Sequence, residues 1–275
     1  MTKIRAVLCD YDGTLVDNDH IYSQKTKILI GELQAKKVRF SIATGRFYFG
    51  KIEEVIKDLG INGLHIIHGG GGIIDTEKTQ FVFKQVVSRE TVRKIADYLH
   101  SNKVIFGLET DSFIYVSPFT HTSQYLINAK KEDYANYNGG EDVYKILVFS
   151  SGNKFDSPTL ERHIKNIQKL ATDIEIIRFQ FMYDNQPSFG VDITSEYATK
   201  HTAVLEYCKI LGLDPSEVAA MGDGYNDYPL LTAAGFKIAM GNANPELKKI
   251  ADLIVAPVDR GGTEEALSYI LKNLT

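Results

Sequence analysis

Apolar residues recur along the chain in short runs separated by polar, helix-periodic stretches. The first run, Ile4-Arg5-Ala6-Val7-Leu8-Cys9, stops at Asp10-Tyr11-Asp12-Gly13-Thr14 and predicts a buried strand closed by an acidic turn. Ser23 is placed to cap a helix to about Lys37, with Ile28, Leu29 and Leu33 as its apolar side. Val38 to Ala43 predicts a second strand, ending in Thr44-Gly45-Arg46. A helix through Ile52, Val55, Ile56 and Leu59 follows, closed by Gly60, and Leu64 to Ile67 predicts a third strand. This alternation argues for a parallel sheet with right-handed crossovers.

His68-Gly69-Gly70-Gly71-Gly72 then interrupts the rhythm. It lacks the Lys-Ser/Thr of a nucleotide P-loop, so it reads as a flexible turn into Ile73-Ile74-Asp75. From Gln80 to Asp192 the texture becomes α+β. Strands are predicted at Gln80 to Val87, Val104 to Glu109, Phe113 to Ser117, Val143 to Ser150, Ile174 to Phe181 and Ser188 to Ile193. Helices are predicted from Ser88 to about Asn102, from Ser123 to Lys131, and from Ser157-Pro158 to Ala171. The α/β rhythm then resumes with a helix carrying Lys200 and stopping near Gly212. Val218 to Met221 predicts a strand ending in Gly222-Asp223-Gly224-Tyr225-Asn226-Asp227. Strands at Lys237 to Met240 and Leu253 to Ala256 and a helix from Thr263 complete the pattern. The expected organisation is an α/β domain from residues 1–79 and 193–275, with an α+β insertion at 80–192.

Composition narrows the field. Among 275 residues, 44% are hydrophobic and 24% charged, as in soluble globular proteins. A net charge of -4 offers no basic surface to nucleic acid. No apolar run is long enough to span a bilayer, which argues against a membrane partner, and Met1-Thr2-Lys3-Ile4-Arg5 lacks a signal-peptide pattern. Two cysteines, Cys9 and Cys208, read as reduced thiols. The expectation is a cytoplasmic protein, monomeric or weakly dimeric.

Candidate chemistry sits where strands end. Asp10 and Asp12 are two residues apart, so both can face one side of the strand. A carboxylate pair at that spacing persists when a cation or a shared proton compensates it. Gly13 comes too early for a calcium loop, and the ligand spacing after it fails. Thr44, Lys200, Asp223, Asn226 and Asp227 occupy comparable places, and the carboxyl ends of parallel strands gather at one sheet edge. Each alone has an ordinary explanation as a turn residue or a solvated lysine; their joint order does not. Several acids, one lysine and one hydroxyl suit a hard cation, magnesium, together with a phosphoryl group.

In these stretches the chain resembles the haloacid dehalogenase superfamily of phosphohydrolases, and within it the Cof-type sugar-phosphatase branch. Asp10-Tyr11-Asp12-Gly13-Thr14 is similar to its nucleophile motif, Thr44-Gly45-Arg46 to the second, Lys200 to the third, and Gly222 to Asp227 to the fourth. Ala239-Met240-Gly241-Asn242-Ala243 and Ala251-Asp252 resemble that branch as well. The resemblance spans essentially the whole chain. It implies a Rossmannoid core with a type-B cap, and a magnesium-dependent phosphomonoesterase acting on a small phosphorylated metabolite such as a sugar phosphate. On that basis Asp10 is the nucleophile that forms an aspartyl-phosphate, and Asp12 the general acid and base. Thr44, Gly45, Lys200 and Asn226 hold phosphate, and Asp10, the Asp12 carbonyl and Asp223 hold magnesium. Asp227 orients the lysine or the metal shell.

Arg46, His68, Tyr183 and Asn242 are candidate substrate contacts, Tyr183 within a predicted loop Met182-Tyr183-Asp184-Asn185-Gln186-Pro187. For His68 a solvated loop histidine is the favoured reading over a substrate contact. Two positions depart from relatives: His68-Gly69-Gly70 where Asn-Gly-Ala is common, and His201 where glycine often follows the lysine. A phosphomutase using the same aspartyl-phosphate and a non-catalytic regulator with a relict site stand as alternatives. A P-type pump is excluded by the lack of transmembrane segments.

Overall fold

The computed structural model describes residues 3–119, 130–149, 157–183 and 186–275. The chain divides into two compact units: Met1–Arg46, Val55–Phe83 and Thr199–Thr275 form one, Phe47–Glu54 and Lys84–Ala198 the other.

In the first unit, β1 (Ala6–Cys9) is entirely buried. Helix α1 (Gln24–Ala35) follows, its first turn closed by the Ser23 hydroxyl, which accepts from Thr26 N. Its buried side is Thr26, Leu29, Ile30 and Leu33; Ile28 points to solvent, 54% exposed. A three- and four-residue spacing from Leu29 and Leu33 reaches Thr26 and Ile30, not Ile28. After β2 (Arg39–Ile42) the chain passes a kinked turn with Gly50 at φ 99° and enters α2 (Glu53–Leu59). Strand β3 (Leu64–Ile67) is joined to the end of β2 by one parallel bridge, Ala43 to Ile66. Its ladder runs instead with β4 (Gly72–Asp75) in an antiparallel hairpin that β5 (Gln80–Lys84) extends. The third strand therefore touches the end of the parallel sheet, where Thr44 N donates to Ile66 O (2.9 Å), and carries its ladder with β4.

The second unit continues with α3 (Arg89–Ser101), capped by Ser88, then β6 (Ile105–Thr110), β7 (Ile114–Ser117), β8 (Lys131–Asp133) and β9 (Val143–Phe149). Helix α4 (Ser157–Leu170) and the hairpin β10 (Ile174–Tyr183) and β11 (Gln186–Ser195) complete it. The six strands order as β10-β11-β9-β6-β7-β8. One sheet face, with Phe106, Leu108, Ile146, Val148, Val191 and Ile193, packs with Val92, Ile95 and Leu99 of α3 and Leu160, Ile164 and Ile167 of α4. On the other face lie Ile114, Val116, Leu147 and Phe149, with Phe47 against them.

Two expectations change here. Of the helix expected over 123–131, residues 123–129 lie outside the described residues, and Lys131 opens β8. Met182, Tyr183, Gln186 and Pro187 are paired strand residues, so the expected loop is a hairpin end with 184 and 185 outside the described residues.

The chain then returns to the first unit with α5 (Lys200–Leu211), β12 (Val218–Gly222), α6 (Tyr228–Ala233), β13 (Phe236–Ala239), α7 (Pro245–Ile250), β14 (Leu253–Ile254) and α8 (Gly262–Asn273). Helix α5 ends where Gly212 turns left-handed. The parallel sheet reads β14-β13-β12-β1-β2, with Leu8 of β1 opposite Ser41 of β2 and Ala220 of β12. The acidic turn after β1 is thereby flanked by the turns after β2 and β12 at one edge.

Candidate active site

Sheet register sets the site. Asp10 N donates to Met221 O (3.0 Å) and Ala43 N to Cys9 O (2.8 Å), so the ladder runs past the strand ends and fixes the first residues of each turn. Asp10 is 4% exposed and Thr44 1%. Thr199 caps α5 by accepting from Thr202 N (3.1 Å), which places Lys200 at the first helical position. The glycine run seats this helix: Gly70 has φ 103°, and any Cβ there would overlap the backbone of Thr199 and Lys200. That run is a close-packed support, not merely a flexible turn.

Lys200 is 2% exposed and its Nζ donates to Asp10 Oδ1 and Asp227 Oδ1, both at 2.6 Å. The other oxygen of Asp227 accepts from Asp223 N (3.0 Å) and Gly224 N (2.9 Å), so both its oxygens are engaged. Asp223 Oδ1 accepts from the Thr14 hydroxyl (3.1 Å) and Oδ2 from Asn242 Nδ2 (3.0 Å), which also donates to Gly13 O (2.9 Å). Gly13, at φ 74°, lets the acidic turn approach this carboxylate; a Cβ would sit 2.5 Å from Asp223 Oδ2.

Charge accounting explains the titration of these groups. Burial works against the Lys200 ammonium, but Asp10 and Asp227 more than offset it and hold its pKa above the usual lysine range. Asp10 is pushed well above the carboxylate range by burial and then by Asp227, Lys200 opposing. Asp223 rises to about 6, through burial and Asp227, against the Thr14 and Asn242 hydrogen bonds and Lys200. Two of the three carboxylates bond the Lys200 ammonium, and one oxygen from each of Asp10, Asp223 and Asp227 lies within 4.8 Å of the others. An oxygen-only set with surplus negative charge fits a hard divalent cation.

Asp12 takes a different partner. Its carboxylate, though two residues from Asp10, accepts a two-pronged bond from Arg46, Nε to Oδ2 and Nη2 to Oδ1, both 2.7 Å. The guanidinium carbon lies 5.4 Å from the Tyr11 ring centroid, Tyr11 stacks on His20, and His20 Nδ1 is 3.6 Å from Asp12 Oδ1. Arg46 itself is fixed by its backbone, donating from N to Thr44 Oγ1 (3.1 Å) and accepting at O from His68 N (3.1 Å).

Of the other expected residues, Gly45 is half-buried and Asn226 exposed beside Gly224. His68 is fully buried, with φ 55° and its ring stacked on Phe81, which overturns the reading as a solvated loop histidine. The side chain of Tyr183 lies outside what is described. Sequence reading gave no site role to Thr14, His20, Asn244 or Thr263. Asn244 N donates to Asp223 O (3.1 Å), and the Thr263 hydroxyl donates to Thr14 O (2.5 Å). Asn244 before Pro245 carried a helix-cap signal; Thr263 was marked only as the start of a helix.

The edge of the parallel α/β sheet thus carries a buried Asp-Lys-Asp bridge and an acidic cluster. The family profile of haloacid dehalogenase-like hydrolases matches residues 7–267, and the chain belongs to that family, as an enzyme of its phosphatase kind. Among similar proteins is the putative phosphatase YkrA of Bacillus subtilis, 24% identical and covering 98% of this chain and 97% of its own. Another is the 5-amino-6-(5-phospho-D-ribitylamino)uracil phosphatase YwtE of Bacillus subtilis, 25% identical with 98% of each chain covered. Among solved structures, a haloacid dehalogenase-like hydrolase from Bacteroides thetaiotaomicron aligns with a TM-score of 0.83 at 22% identity, over 98% and 100% of the two chains. The subclass IIB sugar phosphatase BT4131 aligns at 0.75 and 23% identity, over 96% and 98%. Among the described residues, no helix is long and apolar enough to cross a membrane.

Proposed function

We propose that this phosphatase hydrolyses the monoester of a small phosphorylated metabolite, a sugar phosphate or related polyol phosphate, through an aspartyl-phosphate on Asp10. The observation that carries the reading is the Lys200 bridge, which aims one carboxylate oxygen of a buried strand-end aspartate while Asp227 anchors the lysine. In the first step Asp10 attacks phosphorus, and the leaving alcohol departs with a proton from Asp12. In the second, water attacks phosphorus, gives its proton to Asp12, and frees Asp10. Thr44, Gly45, Lys200 and Asn226 bind the phosphoryl oxygens. Magnesium, held by Asp10, the Asp12 carbonyl and Asp223, would offset the repulsion between phosphate and carboxylates.

The inserted unit supplies recognition of the leaving group, since the motif residues deal with phosphate alone. The unit of Met1–Arg46, Val55–Phe83 and Thr199–Thr275 acts as the catalytic domain, and the unit holding Lys84–Ala198, where residues 80–192 were expected, as its cap. The protein works in the cytoplasm, as a monomer or weak homodimer. Its relatives' names support a phosphorylated polyol as substrate: YwtE is named for a phosphoribityl compound and BT4131 as a sugar phosphatase. A screen of phosphorylated metabolites for phosphate release, with magnesium, tests the reading. The wild type releases phosphate, while Asp10→Asn and Asp12→Ala lose on the order of a hundredfold or more. Wild-type turnover by Asp10→Asn, or isomerised sugar phosphate without free phosphate, would overturn it.

A further inference from the structure

The loop between β13 and α7, residues 240–244, lies outside the stretches that supply Asp10, Thr44, Lys200 and Asp223, yet it grips Asp223 at two points. Every group it uses for this belongs to the first unit. The loop is itself fixed on the segment after β14. Gly241 N donates to Ala256 O (3.2 Å), and a Cβ on Gly241 would lie 2.5 Å from Pro257 N. From this mount Asn244 N donates to Asp223 O (3.1 Å), and Asn242 Nδ2 donates to Asp223 Oδ2 (3.0 Å). The first bond holds the backbone of Asp223, the second its carboxylate.

Asn242 is exposed, where an asparagine ordinarily turns its amide to water. Here the amide is engaged by protein groups on both sides. Nδ2 also donates to Gly13 O (2.9 Å), and Oδ1 accepts from Val258 N (3.0 Å). Those partners fix which way the amide faces, because Val258 N can only donate while Gly13 O and the Asp223 carboxylate accept. One side chain thus ties together the acidic turn after β1, the turn after β12 and the stretch after β14. Both amide hydrogens are engaged, so a phosphate or carbonyl oxygen of a substrate would have to displace Gly13 O or Asp223. This argues against the expected role of Asn242 as a substrate contact.

The terminal torsion of an aspartate is broad, and a carboxylate left alone turns readily about it. Asp223 is denied that freedom. Its Oδ2 is held by Asn242 and its Oδ1 by the hydroxyl of Thr14 (3.1 Å), a fully buried residue. Any turn of the carboxylate breaks one of the two bonds. Resting on the reading that Asp223 holds the divalent cation, we infer that Asn242 is a positioning residue for that ion. It presets the Asp223 carboxylate and locks it to the acidic turn, with Thr14 as the second arm.

The test follows the thermal midpoint of chelated, substrate-free, full-length protein as magnesium is titrated in. The rise in midpoint reports the ion's affinity without any turnover. Groups that orient a metal ligand typically contribute about tenfold to a hundredfold in affinity. Asn242→Ala and Thr14→Val should therefore each need about tenfold more magnesium, or higher, for the same rise. Thr14→Ser keeps the hydroxyl and should recover most of the Thr14→Val loss. Before magnesium is added, the midpoint of Asn242→Ala should lie close to that of wild type, because the bonds it loses are exposed.

A wild-type magnesium response in Asn242→Ala overturns the inference. A fall in kcat/KM for a sugar phosphate alongside that response would make Asn242 a substrate contact. A lowered metal-free midpoint alongside it would make Asn242 a purely structural tie. Failure of the broader reading shows separately: Asp223→Asn would then respond to magnesium as the wild type does.

Discussion

At the scale of single residues, Arg46 is informative because both its prongs are spent on Asp12. A guanidinium holds a carboxylate in one plane, and a lysine cannot reproduce that fork. Arg46 and Asp12 side chains are 33% and 47% exposed, so the pair adds little to stability. Its effect falls on the orientation of Asp12. Arg46→Lys should therefore leave the thermal midpoint unchanged and lower kcat about tenfold with KM nearly constant; steady-state kinetics on one substrate decides this. An unchanged kcat would mean that Asp12 does not need the fork. Asp12 was legible as a chemical group from its spacing, but its partner was not. Thirty-four positions separate Asp12 from Arg46, and only the strand order β12-β1-β2 brings their turns together.

At the scale of elements, His65 does what the β2–β3 ladder does not. Strands β2 and β3 share a single bridge, and the buried His65 ring joins them by accepting from Ile42 N at Nδ1 (3.0 Å). Its other nitrogen, Nε2, donates to Ile61 O (2.7 Å). This is the neutral tautomer, and burial holds its pKa down at about 4 despite the Ile61 bond. A folded-state value below the unfolded one, near 6.5, means that the unfolded chain binds the extra proton first. Stability from His65 is complete above about pH 6.5 and is lost as pH falls toward 4, on the order of 3 kcal/mol in all. Denaturant unfolding across that range should show the loss for wild type. His65→Gln should lose less between pH 6.5 and 4, and an identical slope would contradict the assignment.

Nothing in Leu64-His65-Ile66-Ile67 signalled this, because an apolar run with one histidine reads as an ordinary strand. The same limit explains His68 and the hairpin. Periodicity reports neither which loop residue is buried under Phe81 nor how far two strands stay paired past a turn-like stretch such as Asp184-Asn185.

At the scale of the whole molecule, the parallel sheet, the return of the α/β rhythm after residue 199, and the acids at strand ends were all readable, because each follows from local pattern and parallel-sheet geometry. The bridge from Lys200 to Asp10 and Asp227 was not, since it exists only through the packing of α5 against turns distant in the chain. The surplus of carboxylates around Lys200 has a molecule-wide consequence. Exhaustive chelation should abolish phosphate release. Magnesium should restore it and calcium only poorly, because phosphoryl transfer needs tight octahedral coordination that calcium relaxes. Full activity in the chelated protein would remove the metal from the account.

The most direct test of the central claim is chemical trapping at Asp10. Turnover of a sugar phosphate is quenched in acid, the protein is reduced with borohydride, and the peptide holding residues 4–15 is sequenced by mass spectrometry. An acyl phosphate is reduced to the alcohol, so the account predicts homoserine at position 10 and none in protein quenched without substrate. Intact Asp10 during confirmed turnover, or the modification at Asp12 or Asp223 instead, would contradict it.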